Sequence, residues 1–119
     1  MGDWRLGTVE GRFANIIWEH EPLTSAELIQ LAEKELNWKR TTMYTVLKRL
    51  CDRGIFQNQK GTVSSLISRE KFYTLQSKEF IEESFGGSLP AFLTAFAAGK
   101  KLSETEIDLL QKLIEQSKG

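Results

Sequence analysis

Residues 38–54 constrain the fold most, because they predict a helix with one apolar face and one polar face. Large apolar residues recur there every three or four positions, which is the spacing of a single buried stripe. They are Met43, Val46, Leu47 and Leu50. At about 100° per residue, Thr41, Thr45 and Lys48 lie opposite the stripe, and Tyr44 and Arg49 flank them. A helix that packs on a core and offers such a face outward is typical of a DNA-recognition helix.

Two further helices are predicted before this one. The first spans about residues 6–19 and ends before Pro22, because proline has no backbone N–H to donate. Thr24 and Glu27 form a capping-box signature, in which a hydroxyl and a carboxylate three residues apart bind exposed amides. That signature predicts the start of a second helix, which ends near Leu36.

A β-hairpin is predicted after the third helix. Gly54 stands where a left-handed residue would end that helix. The segments 55–59 and 63–68 then have strand composition and flank a turn that contains Gly61. Helix, helix-turn-helix and hairpin in this order predict a winged helix-turn-helix domain over residues 1–71.

The remaining residues, 72–119, predict three helices and a separate domain. Two of the helices are expected over 72–85 and about 89–99, with the break at a pair of glycines. A second capping box, from Ser103 to Glu106, predicts the start of the third. The expected fold is therefore mostly α, with a small hairpin wing followed by a three-helix dimerisation region.

Dimerisation is inferred from the apolar content of this second segment. It carries sixteen large apolar side chains, six of them aromatic, which is more than three short helices can enclose alone. The chain's single cysteine leaves no disulfide to stabilise it, so we expect a second copy to cover the surface; folding back onto the first domain is the alternative. The predicted interface residues are Phe85, Leu89, Phe92, Leu93, Phe96, Leu110, Leu113 and Ile114.

The distribution of charge points to nucleic acid, although the net charge is zero. Residues 39–71 hold eight basic and two acidic side chains, whereas residues 1–38 hold three basic and seven acidic. A phosphate backbone requires such a local concentration of positive charge. A solvated helix face could also collect cations, and a winged helix can serve in protein–protein contact. The cations of residues 39–53 favour DNA over that second role.

Composition excludes several other classes of protein. One histidine and one cysteine, without a glycine-rich phosphate loop, leave nothing from which to build an enzyme site, and we expect no cofactor, metal or small-molecule substrate. No run has the length of a membrane span, and the start of the chain lacks the apolar core of a signal peptide. A cytoplasmic location is therefore expected.

Ten residues are predicted to contact DNA. Phosphate contacts supply position and most of the affinity, while side chains in the major groove recognise sequence. Because hydroxyls discriminate bases poorly, we expect specificity to depend on the thymine methyl and on DNA shape. Thr41 and Thr42 have an alternative role as helix caps. The expected base contacts are Thr41, Thr45 and Lys48, the flanking contacts Tyr44 and Arg49, the phosphate contacts Lys39, Arg40, Arg53 and Lys60, with Thr42 as a cap or backbone contact.

Four segments together carry a resemblance to a known family. Glu10 with Ile-Ile-Trp at 16–18 resembles the family's first helix, and residues 85–91 and 102–107 resemble signatures of its dimerisation domain. Residues 38–55 resemble its recognition helix and helix exit. The matching positions there are Trp38, Thr42, Thr45, Leu47, Arg49, Leu50, Gly54 and Ile55. In order and spacing these segments are similar to the penicillinase repressor family, the winged-helix repressors of β-lactamase and methicillin-resistance genes (BlaI/MecI type).

The resemblance implies a homodimer that binds a pseudo-palindromic operator and blocks transcription. It also implies relief by cleavage in the dimerisation domain, triggered by a membrane metalloprotease receptor that senses a cell-wall-directed signal. The family's scissile bond is an Asn-Phe or Ala-Phe step, and Ala95-Phe96 occupies the matching position. Without the family, that step would be an ordinary part of a core helix.

Two departures from the family pattern are present, and one branch of the family is disfavoured. Lys39-Arg40 replaces a Ser-Pro or Arg-Ser pair at the start of the recognition helix. The wing has Gly61-Thr62 where the family usually has Gly-Arg, so we do not expect the wing to contact a groove. The chain ends without the cysteine cluster of a copper-responsive branch, which disfavours metal sensing.

Overall fold

The computed structural model describes residues 4–118, and this part of the chain forms six helices and three short strands. The elements are α1 (Thr8–His20), β1 (Leu23–Thr24), α2 (Ser25–Leu36), α3 (Arg40–Asp52), β2 (Phe56–Gln59), β3 (Thr62–Ser65), α4 (Arg69–Phe85), α5 (Leu89–Gly99) and α6 (Glu104–Gln116). The predicted fold class, a winged helix-turn-helix followed by a helical region, is confirmed. No helix within residues 4–118 is long and apolar enough to cross a lipid bilayer.

Local hydrogen bonds explain why the helices begin where they do. The Thr24 hydroxyl accepts from the Glu27 N–H at 3.1 Å, and the Glu27 carboxylate accepts from the Thr24 N–H at 2.9 Å. Ser103 and Glu106 form the same reciprocal pair at the start of α6. Both predicted capping boxes are therefore confirmed, since each satisfies two amides that have no partner inside the helix.

The two hairpin strands belong to a three-stranded antiparallel sheet in the order β1-β3-β2, in which β3 is the middle strand and β2 one edge. Gln59 pairs with Thr62, so Lys60 and Gly61 form a two-residue turn. Both have positive φ, 53° and 85°, as this tight hairpin turn requires. The strand β1 was not predicted, and β3 ends at Ser65 rather than at residue 68.

Sixteen buried apolar residues form one core, and α1, α2, α3, the sheet and the start of α4 contribute to it. Trp18 packs on Phe56 and Phe72, with ring centroids 5.2 and 5.5 Å away, and its indole N–H donates to the Ile67 carbonyl. Trp38 packs on the ring of Phe13 at 5.0 Å. Both tryptophans thus have packing roles in this core.

The chain divides into two compact units, with the break inside α4 between Glu79 and Phe80. Phe72, which the sequence analysis assigned to the second domain, is fully buried in the core of the first unit. Because α4 is continuous from Arg69 to Phe85, residue 71 does not coincide with a helix end. The domain boundary after residue 71 stays a prediction.

The second unit leaves most of its apolar side chains exposed. Neither α5 nor α6 contains a buried residue, although four aromatic rings of this unit contact one another edge-on or tilted. The exposed large apolar residues of the unit are Phe80, Leu89, Phe96, Ile107, Leu109, Leu113 and Ile114. Surface of this extent on short helices normally has a partner.

We expect Phe72→Ala to lower the free energy of unfolding by about 3–5 kcal/mol, because it empties a fully enclosed site in the core. Urea denaturation followed by tryptophan fluorescence measures this. The control is Leu66→Ala, which truncates a side chain that is 56% exposed and should cost less than about 0.5 kcal/mol. Equal effects of the two variants would contradict the assignment of Phe72 to this core.

Candidate nucleic-acid interface

The helix α3 has the orientation that its sequence predicted. Its apolar stripe is buried in the core of the first unit, and its hydroxyls and cations face outward. The buried residues are Met43, Val46, Leu47 and Leu50. The exposed ones are Arg40, Thr41, Thr42, Thr45, Lys48 and Arg49, and Tyr44 is half-buried between the two sets. The predicted contact residues of α3 therefore form one continuous surface.

The start of α3 is cationic, and its first backbone amides make no hydrogen bond to the side chain of the N-cap residue. Lys39 is the N-cap residue and makes no side-chain capping hydrogen bond. Thr41 and Thr42 lie inside the first turn, so the alternative that one of them is the N-cap is not supported. The Arg40 guanidinium lies 5.7 Å from the centre of the Tyr44 ring. This cation–π contact orients both side chains.

Two outward-facing side chains in the middle of α3 have partners on the same helix. The Lys48 ammonium donates to the Asp52 carboxylate at 2.9 Å, and both side chains are largely exposed. The Thr45 hydroxyl donates to the Thr41 carbonyl at 2.9 Å. The pairing of Lys48 was not predicted from the sequence, although its four-residue spacing from Asp52 is the spacing at which helical ion pairs form.

The arginines at the end of α3 are joined to the N-terminal part of the chain. Arg49 contacts the Glu10 carboxylate of α1 at 3.1 Å, and Arg53 donates to the Arg5 carbonyl at 2.6 Å. Glu10 also accepts from the Gly7 N–H. Partial burial raises the pKa of Glu10, but the Gly7 hydrogen bond and the charges of Arg49 and Arg53 outweigh it and bring that pKa below its usual 4.5.

The turn of the hairpin is held against the start of α2. The Gly61 carbonyl accepts from the Ser25 N–H at 2.8 Å, and the Gly61 N–H donates to the Asn58 side chain at 3.0 Å. At the other end of β3, the Glu21 carboxylate accepts from both the N–H and the hydroxyl of Ser65. Lys60 therefore lies on an anchored turn and is exposed there.

The predicted cleavage and dimer residues all lie in the second unit. Ala95 and Phe96 are in α5, within one helical turn or so of its end at Gly99, and Phe96 is 46% exposed. An apolar groove of about 300 Å³ opens between α5 and α6. It is lined by Phe92, Leu93, Phe96, Leu102, Glu106, Leu109 and Leu110. Leu102 and Leu109 were not among the predicted interface residues.

Within residues 4–118, no three His, Cys, Asp or Glu side chains come together in a way that could hold a metal ion. The single cysteine, Cys51, is half-buried on the edge of the α3 stripe. Burial and the neighbouring Asp52 carboxylate raise the pKa of its thiol, more than the Lys48 ammonium lowers it. Cys51 therefore behaves as a packed thiol at neutral pH.

Comparison with known proteins identifies the family of this chain. A sequence model of the penicillinase repressor family matches residues 6–116. The chain belongs to the penicillinase repressor family. It is 25% identical to the penicillinase repressor of Bacillus licheniformis, covering 96% of this chain and 92% of that one. It is 23% identical to the methicillin resistance regulatory protein MecI of Staphylococcus aureus, covering 95% of each chain. The chain is accordingly a transcriptional repressor and not an enzyme.

We expect Glu10 to make stability depend on pH. Its pKa is lower in the folded than in the unfolded chain, so its stabilising effect is complete above the unfolded pKa of about 4.5 and is lost as pH falls through the folded pKa. Chemical denaturation at neutral pH and at several acidic values should show a shallower decrease for Glu10→Gln than for the wild type. Arg49→Met should also flatten the profile, but less, because the Gly7 hydrogen bond to Glu10 remains. Parallel profiles for all three proteins would contradict the proposed link.

Proposed function

We propose that this repressor binds a pseudo-palindromic DNA operator as a cytoplasmic homodimer, with the exposed face of α3 in the major groove of each half-site. The observation that carries the proposal is the amphipathic α3. From Arg40 to Arg49, its outward face holds only hydroxyl, phenol and cationic groups. Relatives named for penicillinase repression and methicillin resistance support the control of antibiotic-resistance genes as its role.

The two ends of the exposed face have different tasks in this proposal. Lys39 and Arg40 bind phosphates at the start of α3, where uncapped amides and the helix dipole also favour anions. Thr41, Thr45 and Lys48 reach base edges in the groove. Phosphate contacts by Arg53 and Lys60 and flanking contacts by Tyr44, Arg49 and Thr42 complete the footprint.

The second unit forms the dimer in this proposal. Its support is the apolar groove between α5 and α6 together with seven large apolar residues that are at least 39% exposed. A partner subunit that covers these residues would supply the buried core that α5 and α6 lack. Seven of the eight predicted interface residues line the groove or are exposed beside it, namely Leu89, Phe92, Leu93, Phe96, Leu110, Leu113 and Ile114. The eighth, Phe85, packs on the ring of Phe92.

We expect Lys48→Ala to weaken operator binding and to flatten its dependence on salt. Each phosphate or base contact made by a cation releases counterions, and losing one should reduce the slope of log K against log salt by up to about 1 per subunit. Fluorescence anisotropy with a duplex from the upstream region, measured over a salt series, tests this. Binding unchanged by the substitution would remove Lys48 from the interface.

Two further variants separate a local from a general charge effect. Lys112→Ala removes the same charge from α6 and should leave the salt slope unchanged. Asp52→Asn removes the carboxylate that holds the Lys48 ammonium at 2.9 Å and should strengthen binding. Passage of the wild type through DNA-cellulose without retention at low salt would instead favour a winged helix used for protein–protein contact.

We expect the double variant Leu113→Glu/Ile114→Glu to be monomeric, because it places charges on residues that are 57% and 56% exposed in the isolated subunit and would be desolvated in a dimer. Sedimentation velocity distinguishes the 13.6 kDa chain from a dimer. The matched control Leu66→Glu alters an equally exposed leucine of the first unit and should remain dimeric. A monomeric wild type would overturn the dimer.

Repression is relieved, in this proposal, by cleavage of the Ala95-Phe96 bond after a membrane metalloprotease receptor is activated. The bond lies near the end of α5 and beside the groove residues, so cutting it would remove part of the proposed dimer surface without touching α3. Linking two modest half-site contacts can raise affinity by about 10²–10⁴, and that gain is lost with the dimer.

Incubation of the wild type with the activated receptor and its inducer should yield two fragments with a new N-terminus at Phe96. Mass spectrometry identifies the site, and Phe96→Asp should resist cleavage because the family's scissile step has Phe at this position. Wild-type protein that stays intact under these conditions would contradict cleavage, while leaving operator binding and dimerisation to their own tests.

A further inference from the structure

The side chain of Thr45 is oriented by a hydrogen bond within α3. Its hydroxyl oxygen lies 2.9 Å from the carbonyl oxygen of Thr41, one turn earlier. A carbonyl has no proton to give, so the hydroxyl proton must lie in this bond. The hydroxyl of Thr45 therefore cannot also donate to a base without giving up a hydrogen bond of its own helix.

The other heavy atom on the Thr45 β-carbon is a methyl group, and the residue is exposed. With the oxygen held against the backbone, the methyl is the group available for contact from outside. Thr45 lies between Thr41 and Lys48 on the face that α3 turns outward. In the major groove, the only apolar group on a standard base edge is the 5-methyl of thymine.

We propose that Thr45 recognises a thymine in each half-site through methyl–methyl contact and not through its hydroxyl. This inference rests on the proposed operator binding and makes it more specific, since it names one atom group of the DNA. The Thr45 oxygen still has lone pairs, so acceptance of a hydrogen bond from adenine or cytosine is the competing arrangement. The two arrangements predict opposite orders for two conservative substitutions.

Thr45→Val keeps a methyl and removes the hydroxyl, whereas Thr45→Ser keeps the hydroxyl and removes the methyl. The probe is a duplex that the wild-type protein selects from a random-sequence pool, together with copies in which each thymine is replaced singly by deoxyuridine. Deoxyuridine pairs like thymine and lacks only the 5-methyl. Because Thr45 is exposed, both variants should fold, and their circular dichroism melts verify this.

The expected result is one thymine per half-site whose replacement weakens wild-type binding by about fourfold, the factor for burying one methyl-sized group. Thr45→Val should show the same preference for thymine, and Thr45→Ser should bind both duplexes equally.

Two results would overturn the proposal: a wild type indifferent to every thymine replacement, or a Thr45→Val variant that binds weakly while Thr45→Ser binds normally. Failure of the wild type to select any duplex would instead overturn the proposed operator binding itself.

Discussion

Burial of the α3 stripe is the constraint on which the rest of the interface depends. Met43 and Leu50 are fully enclosed in the core, and Val46 and Leu47 nearly so. Turning the helix by one residue would expose these side chains and bury hydroxyls without partners, at a cost of about 1–3 kcal/mol for each unsatisfied group. The core therefore determines which side chains reach outward, and the interface needs no separate device to orient α3.

In the isolated subunit, carboxylates pair with two of the cations on the outward face, Lys48 and Arg49, so DNA binding would have to exchange these partners. Lys48 and Arg49 each contact a carboxylate, at 2.9 and 3.1 Å. The Lys48–Asp52 pair is largely exposed, and such pairs contribute only about 0–1 kcal/mol, so exchanging the Asp52 carboxylate for a phosphate would cost little. In the proposed complex, Asp52 and Glu10 would compete with phosphates for these cations and so lower non-specific attraction to any polyanion, while the geometry of α3 stays the same.

The elements that could be predicted from the sequence are those whose signals are local. Each of these signals is contained in a short stretch of chain, as in the capping pairs Thr24–Glu27 and Ser103–Glu106 and the apolar stripe of α3. The helices α2, α6 and α3 begin within a residue or two of where they were expected. The strand β1 has two residues, too few for any alternation to be visible, and it exists only because Val63 of β3 lies beside it.

Contacts between distant residues could not be predicted in the same way. Glu10 and Arg49 are 39 positions apart, and no spacing rule joins them. Phe72 looks like the first aromatic of a second domain in sequence, but Trp4, Trp18 and Tyr73 surround its ring in the first unit. Such assignments depend on which surfaces meet after the helices form, and periodicity only reports that a surface is apolar.

The location of Ala95-Phe96 connects the proposed dimer with its proposed cleavage, because both depend on how easily the end of α5 opens. A peptide bond inside a hydrogen-bonded helix resists a protease until that part of the chain opens. Opening costs least near a helix end, and α5 ends at Gly99, three residues after Phe96. A partner subunit packed on Phe96 would raise that cost, because opening would then also expose buried apolar surface. The dimer would therefore protect the bond whose cleavage destroys it, and the protease would act most readily on the fraction of repressor that has dissociated from its partner.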